Sequence, residues 1–282
     1  MHDTRHTVKE GRDGSVGRRG FLRTAATATA AATGTAVLTA PAAAGRNSDG
    51  DAIDGHTEAD VERAIRRGRP RKAAQLLGES GVAHTTERVA MPTAGEGDEG
   101  AGRGDPVGGH DAVSSQSVYD GDDSSFWMYV WSRGGDVYRA YCSWELAFSG
   151  TATIDGPGPA DGVGITVSDA EWEPVLGSWQ FGPGTSLRKR ESLGVIGAFD
   201  DPDPYCDAYS CYWPSEEQRS SWMQVDLRKK SDGRHNVYGT YAHTWQSGGF
   251  WGGAGFGLSP GPISVSPDLG VDYWRIRSDQ RI

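Results

Sequence analysis

The chain has 282 residues, with 28 Lys and Arg against 38 Asp and Glu and a formal net charge of −10. A field of that sign works against nucleic acid and anionic membrane surfaces as electrostatic partners. The uncharged run from Thr24 to Ala40 is Ala-rich, too weakly apolar to hold as a membrane span of about 20 residues, so no stable membrane span is expected there.

Residues 1–44 set out, in order, a polar and partly basic start, the pair Arg18-Arg19 followed by Gly20-Phe21-Leu22, the neutral Ala/Thr run and a small-residue cleavage site at Ala42-Ala43-Ala44. This segment resembles the signal of twin-arginine exported proteins, whose pathway moves folded cargo. The resemblance covers these residues only, and implies removal of the segment and a secreted, extracellular location. No Cys lies between Thr39 and Gly45 to hold a lipid anchor. Cleavage after Ala44 would leave 22 basic against 35 acidic residues and a net charge of −13. Asp outnumbers Glu 25 to 13 and Arg outnumbers Lys 23 to 5, a composition similar to that of proteins from salt-loving archaea. At molar salt the Debye length is only about 3 Å, so recognition there rests on contact chemistry.

Beyond a polar spacer, Thr57-Glu58-Ala59-Asp60 reads as a helix start, with Val61, Ala64 and Ile65 on one face and an interruption at Gly68-Arg69-Pro70. A second short helix is predicted from Pro70 to Glu79, with Ala73, Leu76 and Leu77 apolar and Gly81 as its stop. Arg63, Arg66, Arg67, Arg69, Arg71 and Lys72 make this hairpin basic, which fits either an anionic partner or docking of its basic face on the acidic domain behind it. A strand is predicted over Val82 to Val89. Helical hairpin and strand fill 57–90, and a Gly-rich, acidic, disordered linker fills 91–117.

All ten Trp and all ten Tyr fall between Tyr119 and Trp274. Residues 118–282 are therefore the main domain, and their short alternating runs between Gly, Pro, Asp and Ser clusters predict an all-β antiparallel sandwich or barrel. One hairpin is expected to join Phe126–Ser132 to Val137–Phe148 through a Gly134-Gly135 turn. That turn would set Trp131 opposite Tyr138, Tyr129 opposite Ala140 and Trp127 opposite Cys142, all on one inward face. Tyr138, Ala140, Cys142, Trp144, Leu146 and Phe148 alternate with Arg139, Ser143 and Glu145, so Cys142 reads as a buried, inert thiol.

A second hairpin is expected to join Ser221–Arg228 to His235–Trp245 through an Asp232-Gly233 type I′ turn, with Met223, Val225 and Leu227 inward. Its other face would carry Trp222, Gln224 and Asp226 beside Tyr241, His243 and Trp245, with Trp222 opposite His243. Exposed, that set is a platform for stacking on a sugar ring; covered by the following segment, it is a second core layer. From His235 to Pro267 there are 33 residues without Asp, Glu, Lys or Arg, including the Gly-rich, aromatic run Gly248–Leu258. This stretch fits a connection packed on the sheet, or a segment that lodges in a membrane interface.

Cys206 and Cys211 are spaced for a local disulfide, and export would bring them to an oxidising compartment. Asp120-Gly121-Asp122-Asp123 and Asp200-Asp201-Pro202-Asp203 with Asp207 offer oxygen ligands for calcium or simply solvated loops, and no other cofactor is indicated. No Gly-x-Ser-x-Gly, His-Glu-x-x-His or P-loop motif occurs, and no catalytic role is assigned. The leading reading is a secreted, non-catalytic β-sandwich that binds a ligand or cell-surface component such as a glycan. The rivals are a membrane-active antagonist and a glycan hydrolase built on a pair among Glu145, Glu171 and Glu173, which would need separations of about 5 to 9.5 Å.

Overall fold

Two short helices form first along the chain because each has a local start, a local stop and one apolar stripe. Helix α1 (Gly55–Arg66) begins two residues ahead of the expected Thr57 start, because Asp54 is the N-cap. The Asp54 carboxylate accepts the backbone N–H groups of His56 and Thr57 at 3.0 Å each. Hydrogen bonds from Thr57 foremost, and from His56, hold that carboxyl below its usual value. Helix α2 (Pro70–Ser80) opens on Pro and ends at Gly81 with φ +73°, as the spacing predicts. Val61, Ala64 and Ile65 on α1 and Ala73 and Leu77 on α2 are buried.

The computed structural model describes residues 52–91, 124–147, 160–200, 205–206, 211–212, 219–246, 254–267 and 271–282, without the side chains of 205–206, 211–212, 245–246, 267, 271–272 and 274. Residues 1–51, which include the segment read as an export signal, residues 92–117, Phe148, Asp120–Asp123, residues 201–204, Asp207 and residues 247–253 lie outside the described residues. The strands in chain order are β1 (His84–Ala90), β2 (Ser125–Gly134), β3 (Val137–Glu145), β4 (Asp161–Val167), β5 (Trp172–Pro174), β6 (Gln180–Phe181), β7 (Thr185–Glu191), β8 (Gly194–Phe199), β9 (Tyr205–Cys206), β10 (Cys211–Tyr212), β11 (Ser220–Lys229), β12 (Asn236–Gln246), β13 (Ala254–Ser259), β14 (Gly261–Pro267) and β15 (Val271–Arg281).

Antiparallel pairing assembles two main sheets. Sheet I runs β1-β2-β3-β11-β5, with β6 also on β11, and sheet II runs β15-β12-β4-β8-β7. Phe126, Met128, Val130, Ala140, Cys142, Trp144, Met223, Val225 and Leu227 of sheet I meet Val163, Ile165, Val195, Phe199, Val237 and Tyr241 of sheet II in one core. The class is thus the β-sandwich, built from residues that alternate in and out along each strand. The helical hairpin belongs to the same compact unit: β1 follows α2 directly and pairs with β2 along its whole length. Cys142 is fully buried, and burial pushes its thiol up, in keeping with an inert core residue.

Two hairpin registers differ from those expected. In the β2–β3 hairpin the turn is Gly135-Asp136, and a bulge between Ser132 and Gly134 inserts one residue. Trp131 therefore opposes Arg139, Tyr129 opposes Tyr141 and Trp127 opposes Ser143. A shift of one residue moves a strand's side chains to the other face, so these three aromatics point away from the core while Phe126, Met128 and Val130 point into it. The second correction is larger. β11 and β12 do not pair: β11 bonds to β3, β5 and β6, and β12 bonds to β4 and β15. Residues 230–235 carry the chain from sheet I to sheet II, a distance of about 10 Å that this connection spans and a two-residue turn would not.

The charge-free stretch supplies β12 and then, beyond residue 253, β13 and β14, a two-stranded ladder lying on the outer side of sheet II. Phe256 and Ile263 sit where Cβ atoms on Gly162 and Gly164 would be 2.3 Å and 2.4 Å away, so these two glycines of β4 make the seat. Thr166 Oγ1 donates to the Gly261 carbonyl, and Arg275 Nη1 donates to the Ile263 carbonyl at 2.7 Å. Gly164→Ala should lose about 1–3 kcal/mol through overpacking against Ile263. Urea unfolding of Gly164→Ala, Ile263→Ala and the double variant checks this: the contact predicts clear non-additivity, because the second change removes the clashing methyl.

Candidate functional site

Sheet I presents outward an aromatic row that an ordinary soluble surface would not bear. Alternation along β2, β3 and β11 turns out Trp127, Tyr129, Trp131, Tyr141 and Trp222, and α1 and α2 lie across them. The rings run nearly parallel in places: Trp131 and Tyr141 have centroids 6.2 Å apart, Tyr141 and Trp222 5.3 Å. The Tyr129 hydroxyl donates to the Pro70 carbonyl at 3.3 Å, and Trp131 Nε1 donates to Glu58 Oε1 at 3.2 Å.

Polar groups tie the helices down at one end of this row. Arg139 points out between the aromatics and holds Asp226 through two bonds, Nε to Oδ1 at 2.8 Å and Nη2 to Oδ2 at 3.2 Å. Its Nη1 also bonds Glu62 and lies 3.4 Å from Glu58. Arg133 joins the same group, with Nη1 2.7 Å from Asp226 Oδ2 and Nε 2.8 Å from Glu58 Oε1. Burial alone would lower the Arg139 pKa, but the hydrogen bonds it donates to Asp226 and the charges of Asp226, Glu58 and Glu62 raise it, so this guanidinium stays charged. The hairpin thus docks through the acids of α1, while Arg63, Arg66, Arg67, Arg69, Arg71 and Lys72 remain exposed. Of this basic set Arg66 touches sheet I, at Trp222 and Gln180, and no salt bridge joins the set to a described acid of the sheets.

At the other end, toward β6, the fit is less complete. Trp222 is half-buried, and the Arg66 guanidinium lies 4.6 Å from its ring centroid. Arg66 Nη2 also bonds Glu62 Oε2 at 3.0 Å and donates to Gln180 Oε1 at 3.4 Å. Gln224 pairs across the sheet with Tyr141 on one side and Gln180 on the other. Gln224 is 1% and Tyr141 0% exposed, yet Gln224 Oε1 and the Tyr141 hydroxyl have no hydrogen-bond partner among the described residues. Burial pushes the Tyr141 phenol upward; the neighbouring Arg66 guanidinium offsets part of the rise without reaching hydrogen-bond geometry. An unmet buried polar atom costs about 1–3 kcal/mol relative to a paired one.

The six residues expected to share one platform are divided. Trp222, Gln224 and Asp226 do lie together on the outer face of sheet I, with Tyr141, Arg139 and Gln180 as neighbours. Tyr241 and His243 belong to sheet II, whose β12 never meets β11, and both are buried. There they enclose Asp161: Tyr241 donates its hydroxyl, His243 Nδ1 lies at 3.0 Å and the Thr244 N–H donates at 2.8 Å, which satisfies a fully buried carboxylate. Trp245 lies on β12, its side chain outside the described residues. Tyr141 and Arg139 belong to the outward set of β3 that alternation defines, and they join the site because β3 rather than β12 is the neighbour of β11, which alternation does not show.

The remaining candidates are placed as follows. Cys206 and Cys211 oppose each other across the β9–β10 ladder. Among the described residues no group of three His, Cys, Asp or Glu could hold a metal ion. Glu145 lies opposite Ser220 and Glu173 opposite Arg228 on the same strand. Eight residues of strand separate them, roughly 26 Å, far beyond the spacing of a glycosidase pair. No helix among the described residues is long and apolar enough to cross a membrane.

No family model and no curated protein matches the chain. A solved structure named "Pore forming protein" is similar over 70% of this chain and 91% of its own, at 8% identity and a TM-score of 0.29. A likeness of that degree bears on no functional assignment.

Proposed function

We propose that the chain is an exported, non-catalytic β-sandwich that binds a polyhydroxylated ligand, a glycan of a cell surface, on the outer face of sheet I beside α1. The observation that supports this reading is the set of unmet polar atoms on Gln224 and Tyr141 next to the half-buried Trp222 ring. A pyranose ring offers an apolar face for the indole and hydroxyls for an amide oxygen and a phenol, which is the chemistry those groups lack in this structure. The signal segment supports export, and export would allow Cys206 and Cys211 to oxidise across β9 and β10. Titration of residues 45–282 with a panel of envelope polysaccharides, followed by Trp fluorescence, tests the site. Trp222→Ala should weaken binding about 30-fold, the effect of about 2 kcal/mol for a central aromatic contact. An unchanged binding profile in that variant would remove the assignment.

A second reading, a membrane-active protein, draws on the charge-free hairpin. Phe256, Leu258, Ile263 and Val265 alternate with Gly255, Gly257, Ser264 and Ser266 and form one apolar face, which packs on sheet II in this structure and would have to leave it to meet lipid. Strands of six and seven residues are shorter than the 9–11 needed to span, so such a hairpin would rest in the interface. Leakage of a dye from lipid vesicles is its measurement, and intact vesicles would discard it.

A further inference from the structure

We infer that the ligand of the sheet I site is an anionic glycan, bearing carboxylates or sulfates, and that the turn joining α1 to α2 is the surface that selects it. This rests on the site proposed above and adds the charge of its ligand. The motivating feature is a local reversal of charge: residues 63–72 hold five Arg and one Lys with no Asp or Glu, in a chain of net charge −10.

The fold explains only part of that cluster. Arg63 pairs with Asp60, and Arg66 pairs with Glu62 and Gln180 while covering Trp222. Both stand in the last turn of α1, where cations suit the helix dipole. Arg69, Arg71 and Lys72 stand instead at the first turn of α2, where cations oppose it. Arg69 occupies the N-cap without a side-chain cap bond, and no acid is present in that turn. Arg67, Arg69, Arg71 and Lys72 are all exposed and form no salt bridge with any described residue. Three of these cations work against the local helix, and all four pair with no described carboxylate, so the set is suited to a partner outside the chain.

The patch is continuous with the site. Arg66 lies over Trp222, and the Pro70 carbonyl takes the Tyr129 hydroxyl, so the turn spans sheet I from β11 to β2 directly above the aromatic row. The acidic remainder of the molecule does not cancel it at contact range. Screening falls to about 8 Å at physiological ionic strength and about 3 Å at molar salt, so a bound anionic group feels the nearest guanidinium groups rather than the net charge. Arg also suits planar carboxylates and sulfates through two parallel N–H donors.

The experiment uses residues 45–282 with polygalacturonate and with its methyl ester, which keeps the backbone and removes the charge, and with dextran sulfate against dextran. Wild type should bind the charged member of each pair at least about tenfold more tightly than the neutral one, the gap narrowing at molar salt. Replacing Arg67, Arg69, Arg71 and Lys72 by Gln should remove that gap, and replacing them by Glu should reverse it, with the thermal transition unchanged as the folding check. Trp222→Ala should weaken both members alike. Equal binding of charged and neutral partners, lost in Trp222→Ala, would overturn the anionic assignment while keeping the site. A charge gap that survives Trp222→Ala at full affinity would overturn the site. Binding to phosphatidylglycerol vesicles or single-stranded DNA with no binding to either charged glycan would overturn the glycan as partner.

Discussion

Asp226→Ala should destabilise the fold by about 3–5 kcal/mol, seen as a thermal transition lowered by roughly 10 °C. Asp226 is 7% exposed and accepts both forks of Arg139 as well as Arg133. Removing it leaves two guanidinium groups beneath α1 with only Glu58 and Glu62 to hold them, and a buried cation short of a partner is far more costly than a missing surface pair. The stability does not come from the ion pair as such. Replacing Arg139 and Asp226 together by Met and Leu should recover a large part of the loss, since two apolar side chains of similar volume carry no desolvation penalty. A double variant no better than Asp226→Ala would show that the network is needed intact to seat α1.

Gly194→Ala should be at least as damaging, with a loss of about 4 kcal/mol or more, a large share of the roughly 5–15 kcal/mol that holds a domain folded. Gly194 opens β8 at φ +136° and pairs with Thr166. A Cβ there would lie 2.1 Å from the Ile165 carbonyl oxygen and 2.9 Å from the Thr166 Cα, both backbone atoms of the paired strand. Side chains can rotate away from a clash, whereas this one can be relieved only by opening the β4–β8 ladder. Gly177→Ala is the matched control: its φ is +81° with nothing within 4 Å of the added carbon, so it should show only the backbone cost of about 1–2 kcal/mol. Chemical denaturation of the two variants side by side separates the clash from the dihedral.

The helices were legible because their signals are local. Val61, Ala64 and Ile65 repeat at helical spacing, and Pro70 and Gly81 punctuate α2 within a residue of where they should. The inward sets of β3 and β11 were legible for the same reason, since period-2 alternation places Tyr138 to Trp144 and Met223 to Leu227 on one side whatever the partner strand. The β2–β3 register was not legible, because a bulge at Ser132 to Gly134 changes it by one residue, and a Gly-Gly pair accommodates either turn. The candidate site was half legible: Trp222, Gln224 and Asp226 share a face through alternation alone, but their neighbours come from β3 and β6, and their cover comes from α1.

By itself, then, the sequence determined the two helices, the segments that form β1, β2, β3, β11 and β12, and the apolar side of β3 and β11, because these depend on spacings of two to four residues. The tertiary structure alone decided that β11 and β12 part into different sheets, that Tyr241 and His243 enclose Asp161, and that helices cover the aromatic row of sheet I. Backbone ladders are nearly blind to the side chains that form them. Whether an outward face meets water is set by an element remote in the chain, here the α1–α2 hairpin and the β13–β14 hairpin, whose docking rests on shape and charge that no single segment displays.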